Sequence, residues 1–225
     1  MLKLNNVNFK FDKSGACFFN NLSASFNRGK INFIQGANGS GKSTLFRILQ
    51  GKLSSNEFLK GDFCLDEKYD NISHRIAMVQ QKFDVMLADK FSFSENLKFA
   101  NISRYPSLKF LPNHKDVEEF LKQFSIDKNK TVNLLSGGQR QILAILMVLQ
   151  KMPKVLLLDE PTSALDVENS KMVMDFINDL VKTTNIIVIM ICHDKELVES
   201  YCNSEYYHLG HDLISDGRFI EVKKI

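Results

Sequence analysis

The segment from Leu135 to Asp166 reads LSGGQRQILAILMVLQKMPKVLLLDEPTSALD and contains two sites suited to phosphate chemistry. At its start, a serine and two glycines precede a helix-forming run, so backbone N–H groups and the helix dipole would face an anion. Near its end, the apolar run 155–158 predicts a buried parallel strand. That strand would place the carboxylates of Asp159 and Glu160 at its carboxyl end. The segment therefore pairs an anion receptor with a site for a metal and a base.

Length and composition set broad limits. The 225 residues suffice for one large domain or two small ones with a substantial core. A formal charge of +3 with 24% charged residues predicts neither nucleic-acid nor membrane-surface binding. The four cysteines form no C-x-x-C pair and no zinc-site spacing, so we expect reduced thiols in a cytosolic protein. The longest apolar runs, 142–149 and 186–192, are too short to cross a bilayer.

The order of apolar patterns along the chain is typical of an α/β fold. The predicted strands are 2–11, 18–26, 30–35, 62–81, 154–158 and 186–192. The predicted helices are 43–50, 167–182 and 194–201. Residues from about 84 to 133 have a helical pattern that indicates an inserted helical subdomain. The tail after residue 201 is predicted to be a hairpin that turns at Asp216-Gly217.

The sequence GANGSGKS at Gly36–Ser43 matches the phosphate-loop pattern G-x-x-x-x-G-K-[ST], between a predicted strand and a predicted helix. Glycines let backbone N–H groups close around phosphates, Lys42 would reach the β and γ phosphates, and the Ser43 hydroxyl would bind Mg²⁺. The alternative is a glycine-rich turn before a helix. The predicted nucleotide-binding residues are Gly36, Asn38, Gly39, Ser40, Gly41, Lys42, Ser43 and Thr44. This motif alone leaves kinases, GTPases and motor ATPases open.

Asp159 is the expected Mg²⁺ ligand opposite Ser43, because a carboxylate at the end of a buried strand can hold the metal or its waters. Glu160, the next residue, would polarise an attacking water. Adjacent carboxylates repel each other, so the pair is best explained by a nearby cation. The alternative is a strand that ends in an exposed turn.

Together these motifs resemble the nucleotide-binding subunit of an ATP-binding cassette (ABC) transporter, over nearly the whole chain. The motifs that carry the resemblance, in order, are the phosphate loop, LSGGQ at 135–139, LLLDEP at 156–161, SALD at 163–166 and ICHD with His193. The resemblance implies a P-loop NTPase core with a mainly parallel sheet, an N-terminal antiparallel β subdomain and the inserted α-helical subdomain. It implies a single ABC ATPase domain over 1–225, with the core and β subdomain at 1–83 and 134–225.

The same resemblance assigns roles to three further residues. Gln81, in IAMVQQ, corresponds to a glutamine that contacts Mg²⁺ and water and senses the transmembrane partner. His193 corresponds to a switch residue that contacts the γ-phosphate, and Phe11 to an aromatic that stacks on adenine. The predicted catalytic residues are therefore Glu160, His193 and Gln81, and the predicted metal ligands are Ser43, Gln81 and Asp159. For Phe11 the alternative is core packing beside Phe9.

A head-to-tail dimer is also implied, formed with a second copy or a homologous subunit. ATP on one phosphate loop would be capped by the signature motif of the other subunit. The signature's donors suit this role, because the chain already has its own phosphate loop in cis. The residues expected at this contact are Ser136, Gly137, Gly138 and Gln139, with Asp166 from SALD.

The expected membrane partners are transmembrane permease subunits, together with a solute-binding protein in an importer; no nucleic acid is expected. We hypothesise that the permease docks on an apolar stretch after Gln81, although these residues could equally be core. Its members are Phe83, Met86, Leu87, Phe91 and Phe93. The expected location is cytoplasmic, peripheral on the cytoplasmic face of the membrane.

Departures from the family pattern bear on the direction of transport. Ile142 and Met147 replace customary arginines after the signature. The resulting form RQxLxxLM, together with the Leu134-Leu135 doublet, resembles a bacterial subgroup associated with uptake of amino acids or related organic solutes. The stretch 130–134 lacks the Glu-containing segment of many exporters, whereas Pro161 departs from the uptake subgroup, where His is expected. The form after the signature and the missing Glu-containing segment favour an importer, and Pro161 counts against the uptake subgroup. The alternatives are a non-transport cassette that acts on ribosomes or DNA, and one that couples a membrane complex to other machinery.

Overall fold

The computed structural model describes residues 1–66, 72–100, 121–122, 124–201, 204–212 and 217–223. Its strands are β1 (Leu2–Lys10), β2 (Phe19–Phe26), β3 (Ile31–Gln35), β4 (Phe58–Leu65), β5 (Ile76–Val79), β6 (Val155–Asp159), β7 (Ile187–Ile191), β8 (Ser204–Asp212) and β9 (Gly217–Lys223). Its α-helices are α1 (Lys42–Leu49), α2 (Phe93–Ala100), α3 (Gly137–Leu149), α4 (Val167–Thr183) and α5 (Lys195–Glu199). Short 3-10 helices lie at Ser73–Arg75, Phe83–Met86 and Val132–Leu134. Within these ranges, no helix is long and apolar enough to cross a membrane.

Six strands form the central sheet in the order β5-β6-β7-β3-β8-β9. The first five are parallel, and β9 runs antiparallel to β8. Strands β3, β6 and β7 are buried along nearly their whole length, as expected for parallel strands covered on both faces. Because β5, β6, β7 and β3 are neighbours, the loops at their carboxyl ends meet. Gln81, Glu160 and His193 lie in the loops after β5, β6 and β7, and the loop after β3 is the phosphate loop.

The N-terminal strands form a second sheet, in which β1 pairs antiparallel with both β2 and β4. Leu2, Leu4, Val7 and Phe9 are all buried, in one hydrophobic core with α1 and one face of the central sheet. A register shift between Leu4 and Val7 keeps both side chains inward, because a bulge resets the alternation of the strand. The predicted α/β fold class, with an N-terminal antiparallel sheet, is confirmed.

Helix α3 packs against α2, α4 and β5, which explains why it is apolar around most of its circumference. Ser136 caps its N-terminus: the hydroxyl accepts a hydrogen bond from Gln139 N (3.2 Å), and Gln139 Oε1 accepts one from Ser136 N (3.1 Å). Ile142 is 1% exposed in the main core, and Met147 packs partly buried against it. The two departures from arginine therefore make α3 a core element.

Most predicted elements are confirmed, and one is corrected. The predicted strand 62–81 is two strands, because β4 starts earlier, at Phe58, and ends at Leu65. Asp66 ends β4 by adopting a left-handed conformation with φ of 52°. The predicted turn at Asp216 and most of the predicted helical subdomain, 101–120, lie outside the described residues, so the subdomain boundaries stay a prediction.

Candidate functional site

The phosphate loop follows β3 and ends at Gly41, the N-cap of α1. Gly41 has φ of 109°, and a Cβ at this position would lie 2.8 Å from the Phe18 ring and 2.9 Å from the Phe19 ring. A Cβ on Gly36 would lie 2.4 Å from the Leu209 carbonyl oxygen. Only glycine fits at either position, so the backbone can take the tightly curved path that a phosphate-binding loop needs.

Lys42 lies across this loop and is 8% exposed. Its ammonium donates hydrogen bonds to the carbonyl oxygens of Gly36 (2.8 Å) and Ala37 (3.0 Å). Burial lowers the pKa of Lys42, while the two carboxylates at the end of β6 act in the opposite direction. The buried Ser40 hydroxyl has no hydrogen-bond partner among the described residues. A buried cation and an unsatisfied hydroxyl in one loop fit a phosphate group.

The other predicted loop residues line the same turn with different exposure. Asn38 and Gly39 are exposed, and Gly39 has φ of 79°. Ser43, in the first turn of α1, is also exposed, whereas Thr44 is half-buried. The hydroxyl of Ser43 is therefore accessible to a ligand at the mouth of the loop.

Asp159 is half-buried at the end of β6. Burial, followed by the neighbouring Glu160, raises the pKa of Asp159, and Lys42 and His193 oppose this shift. Burial and the neighbouring Glu160 both disfavour the ionised form of Asp159, and a cation bound beside it would stabilise that form. The Ser43 hydroxyl, the Asp159 carboxylate and the Gln81 amide oxygen are hard oxygen ligands of the type that Mg²⁺ prefers, so the donor set fits this metal.

Glu160 contacts the other two predicted catalytic residues, Gln81 and His193. Its Oε2 accepts a hydrogen bond from Gln81 Nε2 (3.1 Å), and its Oε1 lies 3.1 Å from His193 Nε2. Glu160 has φ of 48°, which is uncommon for a non-glycine residue, and its N–H donates to the Ile191 carbonyl (3.0 Å). The left-handed backbone turns the side chain out of the strand, where Gln81 and His193 orient it from two sides.

Phe11 follows β1 and is 48% exposed, whereas Phe9 is fully buried. The Phe11 ring makes edge contacts with Phe9 (5.0 Å between centroids) and Phe18 (4.7 Å). Phe18 in turn lies next to Gly41. Phe11 is therefore an accessible aromatic ring, one ring away from the phosphate loop, and Phe9 is the core residue of the pair.

The signature residues at the start of α3 have partners within the same chain. Ser136 Oγ donates to Asn169 Oδ1 (2.8 Å), and Gly138 N donates to the same oxygen (3.2 Å). Asp166 caps α4 and accepts from Asn169 N (2.8 Å) and Asn169 Nδ2 (2.8 Å). Gly137 is half-buried beside Leu165. The signature and the SALD motif are thus joined through Asn169.

Sequence reasoning missed two polar residues of the site. Ser163 Oγ accepts from Gln81 Nε2 (3.2 Å) and donates to the Glu160 carbonyl (3.1 Å). Asn169 has no motif of its own, and the only sequence signal is its position three residues after a helix-capping Asp.

Glu160, Ser163 and His193 also border a cleft of about 370 Å³. The buried Cys192 thiol lines this cleft, and burial raises its pKa.

The stretch proposed from the sequence as a docking site divides into core and surface. Phe83 and Phe93 are 7% and 0% exposed, so these two assignments are wrong; their side chains fill the main core. Met86 and Leu87 are partly buried against that core. Of the five predicted residues, Phe91 is exposed (43%), and its ring lies 5.1 Å from that of Phe99, which is 49% exposed. Val85 is a third exposed apolar side chain of this part of the chain (82%). We call Val85, Phe91 and Phe99 the apolar patch.

Comparison with known proteins identifies the family of this chain. A family model described as ABC transporter matches residues 19–163. The methionine import ATP-binding protein MetN of Helicobacter hepaticus is 32% identical over 98% of this chain, and the alignment covers 62% of that protein's length. The solved structure of cbiO1 from Clostridium perfringens, part of the ABC transporter complex cbiONQ, has 30% identity and a TM-score of 0.76, covering 92% of this chain and 83% of that one.

A dimeric ATP-binding cassette in a post-hydrolysis state, bound to ADP and Pi, is 25% identical with a TM-score of 0.66, covering 92% of this chain and 94% of that one. The family match covers more than half of the chain and contains the phosphate loop, the signature and Glu160. This chain belongs to the ABC transporter family.

Proposed function

We propose that this chain is the ATP-hydrolysing subunit of an ABC importer and that it energises solute uptake through separate membrane subunits. One observation carries the proposal: Gln81 and His193 hold the Glu160 carboxylate from two sides, at the sheet edge where Lys42 lies. A carboxylate oriented beside a phosphate-binding loop is the arrangement that ATP hydrolysis needs. The MetN relative is named as an import ATP-binding protein, which supports the direction of transport.

In the proposed reaction, Lys42 releases the carbonyls of its own loop and donates to the β and γ phosphates, while Phe11 stacks on adenine. Mg²⁺, when bound, supplies positive charge to the phosphate oxygens; Ser43, Gln81 and Asp159 would hold it. Glu160 accepts a proton from the attacking water, because a positioned carboxylate acts as a general base. His193, on the other side of Glu160, contacts the γ-phosphate.

We further propose that two cassettes pair head to tail and that Ser136, Gly138 and Gln139 contact the partner's ATP. The N-terminus of α3 supports this role, since its N–H groups and dipole favour an anion. The dimeric cassette bound to ADP and Pi is a relative that does assemble in pairs. ATP binding would then close the dimer, and hydrolysis would reopen it.

The apolar patch is the proposed docking site for a permease subunit on the cytoplasmic face of a membrane. The Phe91 and Phe99 rings are in contact, 5.1 Å apart, and contiguous exposed apolar surface commonly marks an interaction site. Asp84, the residue before Val85 of the apolar patch, is linked to the signature helix α3, because Arg140 Nη1 donates to Asp84 Oδ1 (3.0 Å). Movement of a docked permease would therefore reach α3. A solute-binding protein on the opposite side would deliver the solute.

The proposal is tested by purifying the chain with its membrane subunits and reconstituting the complex in lipid vesicles. We expect ATP hydrolysis to be stimulated by the solute-binding protein and to drive uptake, and we expect both activities to be lost in the Lys42→Ala complex. Hydrolysis without transport in either direction would overturn the importer assignment and favour a cassette that couples a membrane complex to other machinery. ATP-driven efflux would reverse the proposed direction.

A further inference from the structure

Asn169 accepts hydrogen bonds from two groups of the signature motif at once. Its Oδ1 lies 2.8 Å from Ser136 Oγ and 3.2 Å from Gly138 N. The orientation of the amide is fixed, because Asn169 Nδ2 donates to the Asp166 carboxylate at 2.8 Å, and a carboxylate can only accept. The oxygen of Asn169 must therefore be the atom that faces the signature.

The two donors that Asn169 engages have no second hydrogen to offer. A serine hydroxyl carries one hydrogen, and a backbone N–H carries one. The contact is also close, since a Cβ on Gly138 would lie 2.7 Å from Asn169 Oδ1. Any phosphate oxygen that bound Ser136 and Gly138 together would have to displace this amide oxygen.

We propose that Asn169 is a positioning residue for the ATP reaction: it occupies the signature's donors in cis until the partner's γ-phosphate replaces it. This role rests on the head-to-tail dimer of the proposed function. Displacement removes the two hydrogen bonds to the signature and leaves the bond from Asn169 Nδ2 to Asp166, so the arrival of the partner's ATP changes the hydrogen bonding of the SALD segment. Ser163, the first residue of that segment, donates a hydrogen bond to the Glu160 carbonyl oxygen.

The proposal predicts opposite effects for two substitutions. Asn169→Ala removes the competing acceptor, so less ATP is needed to close the dimer; we expect about a fivefold lower half-saturating ATP concentration, the equivalent of one ordinary hydrogen bond. Asn169→Asp provides a stronger, charged acceptor that Asp166 repels towards the signature and that also repels the γ-phosphate. We expect the half-saturating concentration to rise roughly tenfold or more.

The experiment titrates Mg-ATP against the full chain carrying Glu160→Gln, alone and with its membrane subunits, and measures dimer closure by light scattering or by crosslinking. A matched control is Glu168→Gln, an exposed neighbour in the same helical turn, which is expected to leave the titration unchanged. Binding of a fluorescent ATP analogue to the dilute monomer should be equal in all variants, since the hydrogen bonds of the Asn169 side chain go to Ser136, Gly138 and Asp166.

Both Asn169 variants lose a contact within the fold, so both should melt earlier without nucleotide. A purely structural residue would then shift the ATP titration in one direction for both, and that result, or no shift, would overturn the role of Asn169 alone. Failure of the parent Glu160→Gln chain to dimerise under any condition would overturn the head-to-tail dimer and, with it, this role.

Discussion

The Gln81 side-chain amide donates a 3.1 Å hydrogen bond to the carboxylate of Glu160, across 79 residues of sequence. The two residues follow β5 and β6, which are neighbours in the sheet. On the opposite side of the same carboxylate lies His193, which follows β7. A residue that senses a docked permease would therefore act directly on the proposed base.

Glu160→Gln is expected to reduce ATP hydrolysis at least about 100-fold, because an amide cannot accept the proton of the attacking water. The variant should still bind ATP through Lys42 and should accumulate as an ATP-bound dimer. Phosphate release and light scattering measure the two effects. Glu168→Gln is the control for loss of a carboxylate. A chain that stays monomeric at saturating Mg-ATP, even with its membrane subunits, would count against both the base role and the dimer.

Gly41→Ala and Gly39→Ala should differ in severity although both glycines have positive φ, 109° and 79°. A Cβ on Gly41 meets the Phe18 and Phe19 rings, whereas a Cβ on Gly39 meets nothing within 4 Å. We expect Gly39→Ala to cost about 1 kcal/mol of stability and Gly41→Ala roughly 2–4 kcal/mol, because overpacking adds to the backbone strain. Denaturant unfolding measures both. Equal losses would mean that the aromatic rings move aside.

The sequence predicted the phosphate loop and the Asp159-Glu160 pair because each is contiguous and its spacing carries the chemistry. It did not predict Ser163 or Asn169, whose roles depend on contacts between segments far apart in the chain. Conversely, Phe83 and Phe93 could not be separated from Phe91, because three phenylalanines in one stretch have the same hydrophobicity. Only the packing of the 3-10 helix and α2 decides which of them are buried.

Asp159→Asn should stabilise the nucleotide-free protein at neutral pH. The pKa of Asp159 is raised in the folded state, so the unfolded chain binds fewer protons between the ordinary value near 3.8 and the raised value. Stability from this group therefore falls as the pH rises through that window, and the asparagine variant avoids the loss. Since Asp159 is only half-buried, solvent screening limits the expected gain at pH 7 to about 2 °C in Tm.

Calorimetry in EDTA between pH 4 and pH 8 measures the difference in Tm between Asp159→Asn and the parent chain. This difference should shrink towards pH 4. The control is Asp166→Ala, which removes the N-cap of α4 and should lower Tm by about 2–4 °C. With Mg-ATP present, Asp159→Asn should have a lower Tm than the parent chain, since it lacks a carboxylate for the metal. A lower Tm for Asp159→Asn without nucleotide would contradict the burial argument.

Phe11→Ala is expected to weaken ATP binding about tenfold, since stacking of a base on an aromatic ring contributes about 1–3 kcal/mol. The maximal rate of hydrolysis should be unchanged, because the proposed contact of Phe11 is with the adenine and not with the reacting phosphate. Phe11→Trp should restore binding. Phe99→Ala is a matched control, since Phe99 has nearly the same exposure, 49% against 48%. Equal affinities of Phe11→Ala and the parent chain for ATP would remove Phe11 from the site.

Val85→Glu and Phe91→Glu should disrupt permease binding without unfolding the chain. Both side chains are exposed, at 82% and 43%, so a carboxylate at either position remains solvated in the free subunit but would be desolvated under an apolar partner. We expect at least tenfold weaker association with the membrane subunits, measured by co-purification and by surface binding. ATP binding by the isolated variants should be normal, because Lys42 and its loop are untouched.

Met152→Glu is the matched control for the patch, because Met152 is an exposed apolar residue (78%) after α3, outside the patch. It should leave membrane-subunit binding unchanged. If Val85→Glu and Phe91→Glu also retain full binding, the permease docks elsewhere, and the Asp84–Arg140 ion pair cannot carry its movement to the signature helix. If they lose binding and Met152→Glu does not, then Asp84→Asn should keep binding but reduce the stimulation of hydrolysis by the membrane subunits.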